Sequence, residues 1–350
     1  MLGIRLNCNK SIGIGHFYRC CSIAEELCKK GAAVIFLCSN DSDISVFEDT
    51  SFDAYIVQNS SSENIDIDDE INTINKYKIT TLLIDCYNIN QEYLSAMRKA
   101  TQTVLLDDLN MFDYDVDAII NYNIEASAEM YSRTQVKGRR AYIGLSFFPL
   151  RNNLALYRKD RELRDNVGEV LILTGSTDPC GCAETILNSL KPSEYKEIIF
   201  KVLIGKFYTK EYCLALKKQY QNVNNVVLLP WGQDMGALYK NADLVISPGS
   251  TTAYEALSLG TPCITYQFVE NHHDECIALD EMGIASFAGI CNGLNDKSFS
   301  FNMYKLFCEI LNGKKRTNQY RVFSPLLDGG GSERIAHLLV EGDTNYEVQI

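Results

Sequence analysis

No window of the 350-residue sequence approaches the ~20 consecutive apolar residues that a membrane-spanning helix needs. Basic charge is also in deficit: 33 Lys and Arg against 45 Asp and Glu give a formal net charge of -12. That balance argues against DNA, RNA or an acidic membrane surface as the main partner, since each recruits Lys and Arg. A single nucleotide stays possible, because a few backbone amides hold a diphosphate without a basic patch. The first residues, Met1-Leu2-Gly3-Ile4-Arg5, read as a mixed stretch and not as an apolar signal region. Cysteine is plentiful, 13 in all, but C-x-x-C is missing, and Cys20-Cys21 and Cys180-Gly181-Cys182 are poorly spaced for structural zinc. Reduced thiols used as small apolar residues are the expected reading, in a cytoplasmic protein.

What is present is an alternation of short apolar runs with helical patterns. Strands are expected near Gly3–Asn7, Ala33–Leu37, Ala54–Val57, Thr81–Ile84, Gln102–Leu106 and Ala118–Ile120. A second series is expected near Glu169–Leu173, Ile198–Ile204, Val226–Leu229, Leu244–Ile246 and Cys263–Tyr266. Amphipathic stretches such as Phe17–Lys30, Gln91–Ala100 and Ser332–Glu341 read as helices. The pattern implies an α/β chain with two doubly wound, Rossmann-like domains of parallel strands facing across a cleft. The polar segment Asn152–Asn166 is the expected boundary, giving domains 1–157 and 158–350. The last helix is a candidate to pack back on the first domain. Ligands in such sheets bind beyond the carboxyl ends of the strands.

Four turns there carry chemistry. Ser11-Ile12-Gly13-Ile14-Gly15-His16-Phe17-Tyr18-Arg19 follows the first strand and opens the first helix. Its glycines let backbone approach a ligand, and a helix start favours anions and disfavours protonated His16. A neutral imidazole can act as a base near pH 7. The third glycine of the dinucleotide fingerprint is absent, so no nicotinamide cofactor is expected. Ser247-Pro248-Gly249-Ser250-Thr251-Thr252, with Glu255 further along, suits a diphosphate and ribose hydroxyls; a capped helix with a surface glutamate is the plainer alternative. Gly175-Ser176-Thr177-Asp178-Pro179 reads as a helix with Asp178 at its cap and Pro179 in its first turn. Asn271-His272-His273-Asp274-Glu275 looks metal-like but lacks ligand spacing, and a capping Asn271 is preferred. The D-x-D strings at Asp41, Asp66 and Asp113 follow no clear strand end, so no metal or other cofactor is expected.

Taken together, these blocks resemble the UDP-2,4-diacetamido-2,4,6-trideoxy-β-L-altropyranose hydrolases of pseudaminic acid biosynthesis. Those are GT-B relatives of the UDP-GlcNAc transferase that makes lipid II. The likeness spans nearly the whole chain, through Ile12 to His16 with Arg19 and Cys20, Leu83 to Tyr87, Leu106 to Leu109, Gly175 to Pro179, Ala242 and Asp243, Ser247 to Glu255, Leu259 to Pro262, Asn271 and Asp328 to Arg334. The resemblance implies a GT-B fold and metal-independent, inverting hydrolysis at the anomeric carbon, with water as nucleophile and UDP as leaving group. His16 matches the catalytic histidine. Tyr87 and Asn271 match substrate contacts, with Asn7, Gly13, Gly15, Arg19, Gly175, Ser176 and His272 expected beside them. Glu255 matches the ribose carboxylate, and Ser247 and Gly249 to Thr252 the diphosphate turn. Asn7, Cys86 and His272 stand where the family has Asp, His and Gln. An Asp at position 7 would raise the basicity of a neighbouring histidine, which Asn7 cannot do. Cys86 and Tyr87 are the second-choice bases. A glycosyltransferase with a UDP-amino sugar donor is the alternative, and a non-catalytic sugar-nucleotide binder the third reading. The expected partner is a UDP-sugar, with no nucleic acid or membrane.

Overall fold

The structure, a computed structural model, describes residues 1–9, 12, 15–48, 50–127, 129–132, 140–158, 163–294 and 296–342. Gly13 and Ile14, and residues 159–162 of the expected boundary segment, lie outside the described residues. The chain divides into two compact units, one of Met1–Arg151 with the segment from Gly330 onward, the other of Asn152–Gly329. The break falls between Arg151 and Asn152, and the last helix belongs to the first unit.

In unit 1 the strands are β1 (Leu2–Leu6), β2 (Val34–Ser39), β3 (Ala54–Val57), β4 (Thr81–Asp85), β5 (Gln102–Leu106), β6 (Ala118–Asn121) and β7 (Arg140–Ile143). Their order is β3-β2-β1-β4-β5-β6-β7, all parallel. Fully buried runs such as Leu2–Leu6 and Thr81–Asp85 mark strands covered on both faces. The helices are α1 (Gly15–Lys29), α2 (Ile67–Tyr77) and α3 (Gln91–Ala100), with Asp66 and Asn90 capping the last two through their side chains. One core cluster gathers Leu82, Ile84, Leu94, Met97, Leu105 and Ile119.

Unit 2 begins with α4 (Asn152–Ala155). It repeats the scheme with β8 (Glu169–Ile172), α5 (Cys182–Leu190), β9 (Ile199–Leu203), α6 (Lys210–Tyr220), β10 (Val226–Leu229), α7 (Met235–Asn241) and β11 (Leu244–Pro248). It continues through α8 (Thr251–Ser258), β12 (Cys263–Gln267), α9 (His273–Glu281), β13 (Ser286–Ile290), α10 (Lys297–Leu311) and α11 (Gly313–Phe323). The order is β10-β9-β8-β11-β12-β13, again parallel. Helix α12 (Gly331–Glu341) returns to unit 1, where it packs along α1. A side chain at Gly331 would lie 2.0 Å from the Phe148 carbonyl, so only glycine allows that close seating.

Two strands escape the sequence pattern, β7 and β13. Both are sheet edges. β13 carries Gly289 at φ 100°, and its pairing with β12 shifts register between Thr265 and Gln267. The helix after the Gly175 turn is also corrected. It starts at Cys182, behind Gly181 at φ 65°, and not at Pro179. Asp178 still serves it, since its carboxylate accepts from the Cys182 and Ala183 amides at 2.7 and 2.9 Å. No described helix is long and apolar enough to cross a membrane.

Candidate active site

Strand order locates the crevice in each unit. In unit 1 the chain winds outward from β1 through β2 to β3, then starts again at β4 on the other side of β1. The carboxyl ends of β1 and β4 therefore flank a topological switch point, the usual ligand site of such sheets. The first residues of α1 and the last residue of β4, Asp85, meet there.

His16, Arg19 and Cys20 share one face of α1, at the i, i+3, i+4 spacing. All three turn to Asp85, which is buried. Asp85 Oδ1 lies 2.7 Å from His16 Nδ1. Arg19 Nε donates to Asp85 Oδ2 at 2.7 Å, and Arg19 Nη2 also reaches Oδ1. The Cys20 thiol donates to Oδ2 at 3.1 Å. Burial by itself would raise the Asp85 carboxyl, but the Arg19 guanidinium and then His16 hold it well below the usual carboxylate range. An ionised oxygen 2.7 Å from Nδ1 requires the proton on Nδ1. The contact of Arg19 Nη2 with the same nitrogen, at 2.9 Å, is then proximity and not a second hydrogen bond. In the neutral ring this leaves the lone pair on Nε2. The proton assignment follows from this network.

Arg19 Nη1 donates to the Tyr122 hydroxyl at 2.6 Å and to Asp108 Oδ2 at 3.3 Å. With every nitrogen committed, Arg19 is a strut inside the site, where a sugar contact was expected. Tyr87 stands partly exposed, its ring edge-on to the imidazole with centroids 4.7 Å apart. Its hydroxyl donates to Asp108 Oδ2 at 3.0 Å. Burial, then the Asp108 charge, push that hydroxyl far up, so it stays a donor.

The other expected residues of this unit divide. Gly15 opens α1 on the surface, with nothing within 4 Å of where a side chain would start. Asn7 points inward: its amide oxygen accepts from Arg5 Nη1 at 2.6 Å and from Ser39 Oγ. Arg5 is in turn paired with buried Glu70 at 2.7 Å, which also accepts from Tyr93. Asn7 thus braces a buried ion pair, and the carboxylate beside His16 comes from β4. Cys86, a second-choice base, is buried in the core, and burial pushes its thiol up to about 12. It has no thiolate to offer near neutrality. Sequence reasoning missed Asp85, Asp108 and Tyr122 as site groups. The available signal was position, since each closes or follows a buried strand at its carboxyl end.

In unit 2 the switch point lies between β8 and β11. Ser247 is buried, its hydroxyl donating to the Pro248 carbonyl at 3.1 Å. Gly249 follows, and a side chain there would meet Cys276 Sγ at 2.2 Å and the His272 carbonyl at 3.5 Å. The β11 turn is therefore pressed against the start of α9. Ser250 precedes α8 in extended conformation, and its hydroxyl caps none of the helix amides. That leaves the hydroxyls and first amides of Ser250, Thr251 and Thr252 at one helix start, the arrangement that receives phosphate. Glu255 sits one turn on, half-buried, accepting from the Tyr239 hydroxyl at 3.1 Å. Gly175, at φ 86°, and Ser176 lie exposed after β8, the strand next to β11.

Asn271 lies in a short 3-10 turn, Glu270–His272, at the end of β12; its side chain is outside what the structure describes. The His272 ring packs edge-on to Phe268, and burial lowers its pKa, which favours the neutral form. His273 is bonded through Nδ1 to Gln267 Oε1 at 2.8 Å. Among the described residues, no cluster of three or more His, Cys, Asp or Glu is arranged to hold a metal.

Comparison with known proteins agrees with this architecture. Residues 169–275 match the glycosyltransferase family 28 C-terminal domain, and the match takes in β8 through the start of α9. The spore coat polysaccharide biosynthesis protein SpsG of Bacillus subtilis is 24% identical over 347 residues, covering 93% of this chain and 94% of SpsG. The crystal structure of MurG from Acinetobacter baumannii superposes with a TM-score of 0.66 at 14% identity, over 97% of this chain and 100% of MurG. The UDP-GlcNAc 2-epimerase of Neisseria meningitidis, crystallised with UDP-GlcNAc, gives 0.68 at 12% identity, over 97% and 100% of the two chains. The chain has a GT-B fold built of two parallel-sheet, Rossmann-like domains, and its second domain resembles that of family 28 glycosyltransferases.

Proposed function

We propose that this chain is a metal-independent, inverting hydrolase of a UDP-linked 2,4-diacetamido-2,4,6-trideoxyhexose. It would release UDP and the free sugar for nonulosonic, pseudaminic-type acid biosynthesis. The reading assigns the nucleotide to unit 2, with the diphosphate at Gly249–Thr252 and the ribose at Glu255. Unit 1 supplies the base. The observation that supports it is the His16–Asp85 contact of 2.7 Å, which holds the proton on Nδ1 and, in the neutral ring, leaves Nε2 as the acceptor. In the reaction His16 Nε2 takes a proton from water while the water oxygen bonds the anomeric carbon. The bond from that carbon to the diphosphate oxygen breaks, and UDP leaves with the electron pair. Attack from the face opposite the leaving group inverts the anomeric centre. The α8 start and its hydroxyls meet the charge that develops on UDP. Cytoplasmic sugar-nucleotide metabolism is the setting this chemistry fits.

A transferase is the second reading, favoured by the family 28 match over residues 169–275. In it the same base would take the proton of an acceptor hydroxyl. Purified protein given the UDP-sugar alone separates the two. UDP release without acceptor, unchanged by EDTA, supports hydrolysis. UDP release only on adding an acceptor establishes transfer, and binding without turnover overturns both.

A further inference from the structure

Two adjacent aspartates follow β5 and have different tasks. Asp107 builds the turn, since its carboxylate accepts from the Leu109 amide at 3.1 Å, the Tyr114 hydroxyl at 2.9 Å and the Tyr131 hydroxyl. The Asp108 side chain takes no part in that turn. Its Oδ2 accepts instead from the Tyr87 hydroxyl at 3.0 Å and from Arg19 Nη1 at 3.3 Å.

We propose that Asp108 is a positioning residue for His16, acting through Tyr87 and Arg19. This rests on the reading of His16 as the base. Asp108 makes no contact with the imidazole itself. Its two partners both bear on the ring: Tyr87 lies edge-on at 4.7 Å, and Arg19 grips the carboxylate that bonds Nδ1. Among the described residues, the charged and titratable groups around the ring are Asp85 and Tyr87 from the end of β4, Arg19 and Cys20 from α1, Asp108 after β5 and Tyr122 after β6. Within that set Asp85 and Asp108 share one guanidinium. Without the Asp108 charge, Arg19 closes on Asp85 alone and competes with His16 for Oδ1, which both now reach. The Tyr87 hydroxyl at the same time exchanges a charged acceptor for a neutral one, which holds its ring, 39% exposed, less firmly against the imidazole. The imidazole then samples both tautomers, and only one leaves Nε2 able to accept a proton.

The test reads the ring directly. Long-range proton–nitrogen spectra of the full chain, without substrate, resolve its four histidines, and His16→Ala assigns the signal. The wild type shows the Nδ1-protonated tautomer at His16. Asp108→Asn gives a mixture of tautomers and lowers kcat for UDP release about 10–100-fold, as a misplaced catalytic group does, with KM unchanged. Asp108→Glu, which keeps the charge, recovers part of the loss. Tyr87→Phe removes one oxygen from an exposed side chain and reproduces part of both effects. Combining it with Asp108→Asn costs less than the sum of the two. An unchanged His16 signal in Asp108→Asn overturns the proposal, and so does a fall in kcat with the tautomer intact. Should Asp108→Asn not fold, an unchanged His16 signal in Tyr87→Phe overturns it equally. The spectra need no turnover, so they decide this point even where the wild type releases no UDP. Full activity in His16→Ala would instead remove the base reading and leave the spectra as they are.

Discussion

One oxygen of Asp85 lies 2.7 Å from His16 Nδ1 while the same carboxylate is chelated by Arg19. The arrangement orients the imidazole and keeps the carboxylate ionised in a buried place. Neither would hold alone. A lone buried carboxylate would tend to take up a proton, and a lone imidazole would have no fixed tautomer.

His16→Ala or His16→Asn should therefore lower turnover by about 10²–10⁴, the usual worth of a positioned base. UDP affinity should change little, because the proposed nucleotide contacts all belong to unit 2. Steady-state kinetics with calorimetry of UDP binding checks both parts. Near-normal turnover would hand the role to another group, and neither second choice offers an anion near neutrality, because the Cys86 thiol and the Tyr87 hydroxyl are both pushed up by burial.

Asp85→Asn should cost both activity and stability. It leaves the Arg19 cation buried without its main partner, and breaking a buried pair typically costs about 3–5 kcal/mol. The pH dependence has a definite sign. The folded carboxyl is depressed, so its stabilisation is fully present above the unfolded value, about 3.9, and is lost as pH falls towards the folded value. Urea unfolding of wild type and variant across the acid range measures that loss. The difference should shrink below about pH 4. A gap that keeps its full size well below about pH 4 would contradict the assignment of an ionised Asp85.

The fold was legible because short buried strands and amphipathic helices alternate with few interruptions. The site was legible only in part. Its glycine and hydroxyl turns are local, so Ser11–Arg19 and Ser247–Glu255 stand out by spacing. The partner of His16 is not local: Asp85 is 69 positions away. The apolar run before it ends at Ile84, which put Asp85 outside the expected strand, although the strand closes on it. Asn7 was expected at the sugar because it stands where the resembling family has Asp, yet Arg5 and Ser39 draw it into the interior. The pairing of Arg5 with Glu70 across 65 positions leaves no local trace either.

Glu255→Ala should weaken UDP binding by about 1.5–3 kcal/mol, the worth of hydrogen bonds to a charged group. Glu255→Gln should lose less, since it keeps an acceptor for ribose and for the Tyr239 hydroxyl now bonded to Glu255. Calorimetry on the three proteins gives the order. Equal affinities would remove Glu255 from the nucleotide site.

Gly249 offers the sharpest test of the diphosphate turn, because its role is steric and can be undone. An added methyl would lie 2.2 Å from Cys276 Sγ, too close to be absorbed without movement, but 3.5 Å from both Cys276 Cβ and the His272 carbonyl, which is ordinary contact. The conflict is with one sulfur atom. Gly249→Ala should therefore destabilise the protein by about 1–3 kcal/mol, as overpacking does, and should displace the turn that leads into α8. UDP affinity should fall with it, since amides serve a diphosphate only when they point at it. Cys276→Ala removes the sulfur and leaves a small cavity. In the double variant the new methyl should fill part of that space, so its unfolding midpoint and UDP affinity should both exceed those of Gly249→Ala alone. This is the coupling expected of side chains in direct contact. Thermal unfolding and UDP calorimetry on the four proteins measure it. Recovered stability without recovered affinity would place the diphosphate elsewhere. Strictly additive effects would deny the contact between the β11 turn and α9 on which the assignment rests.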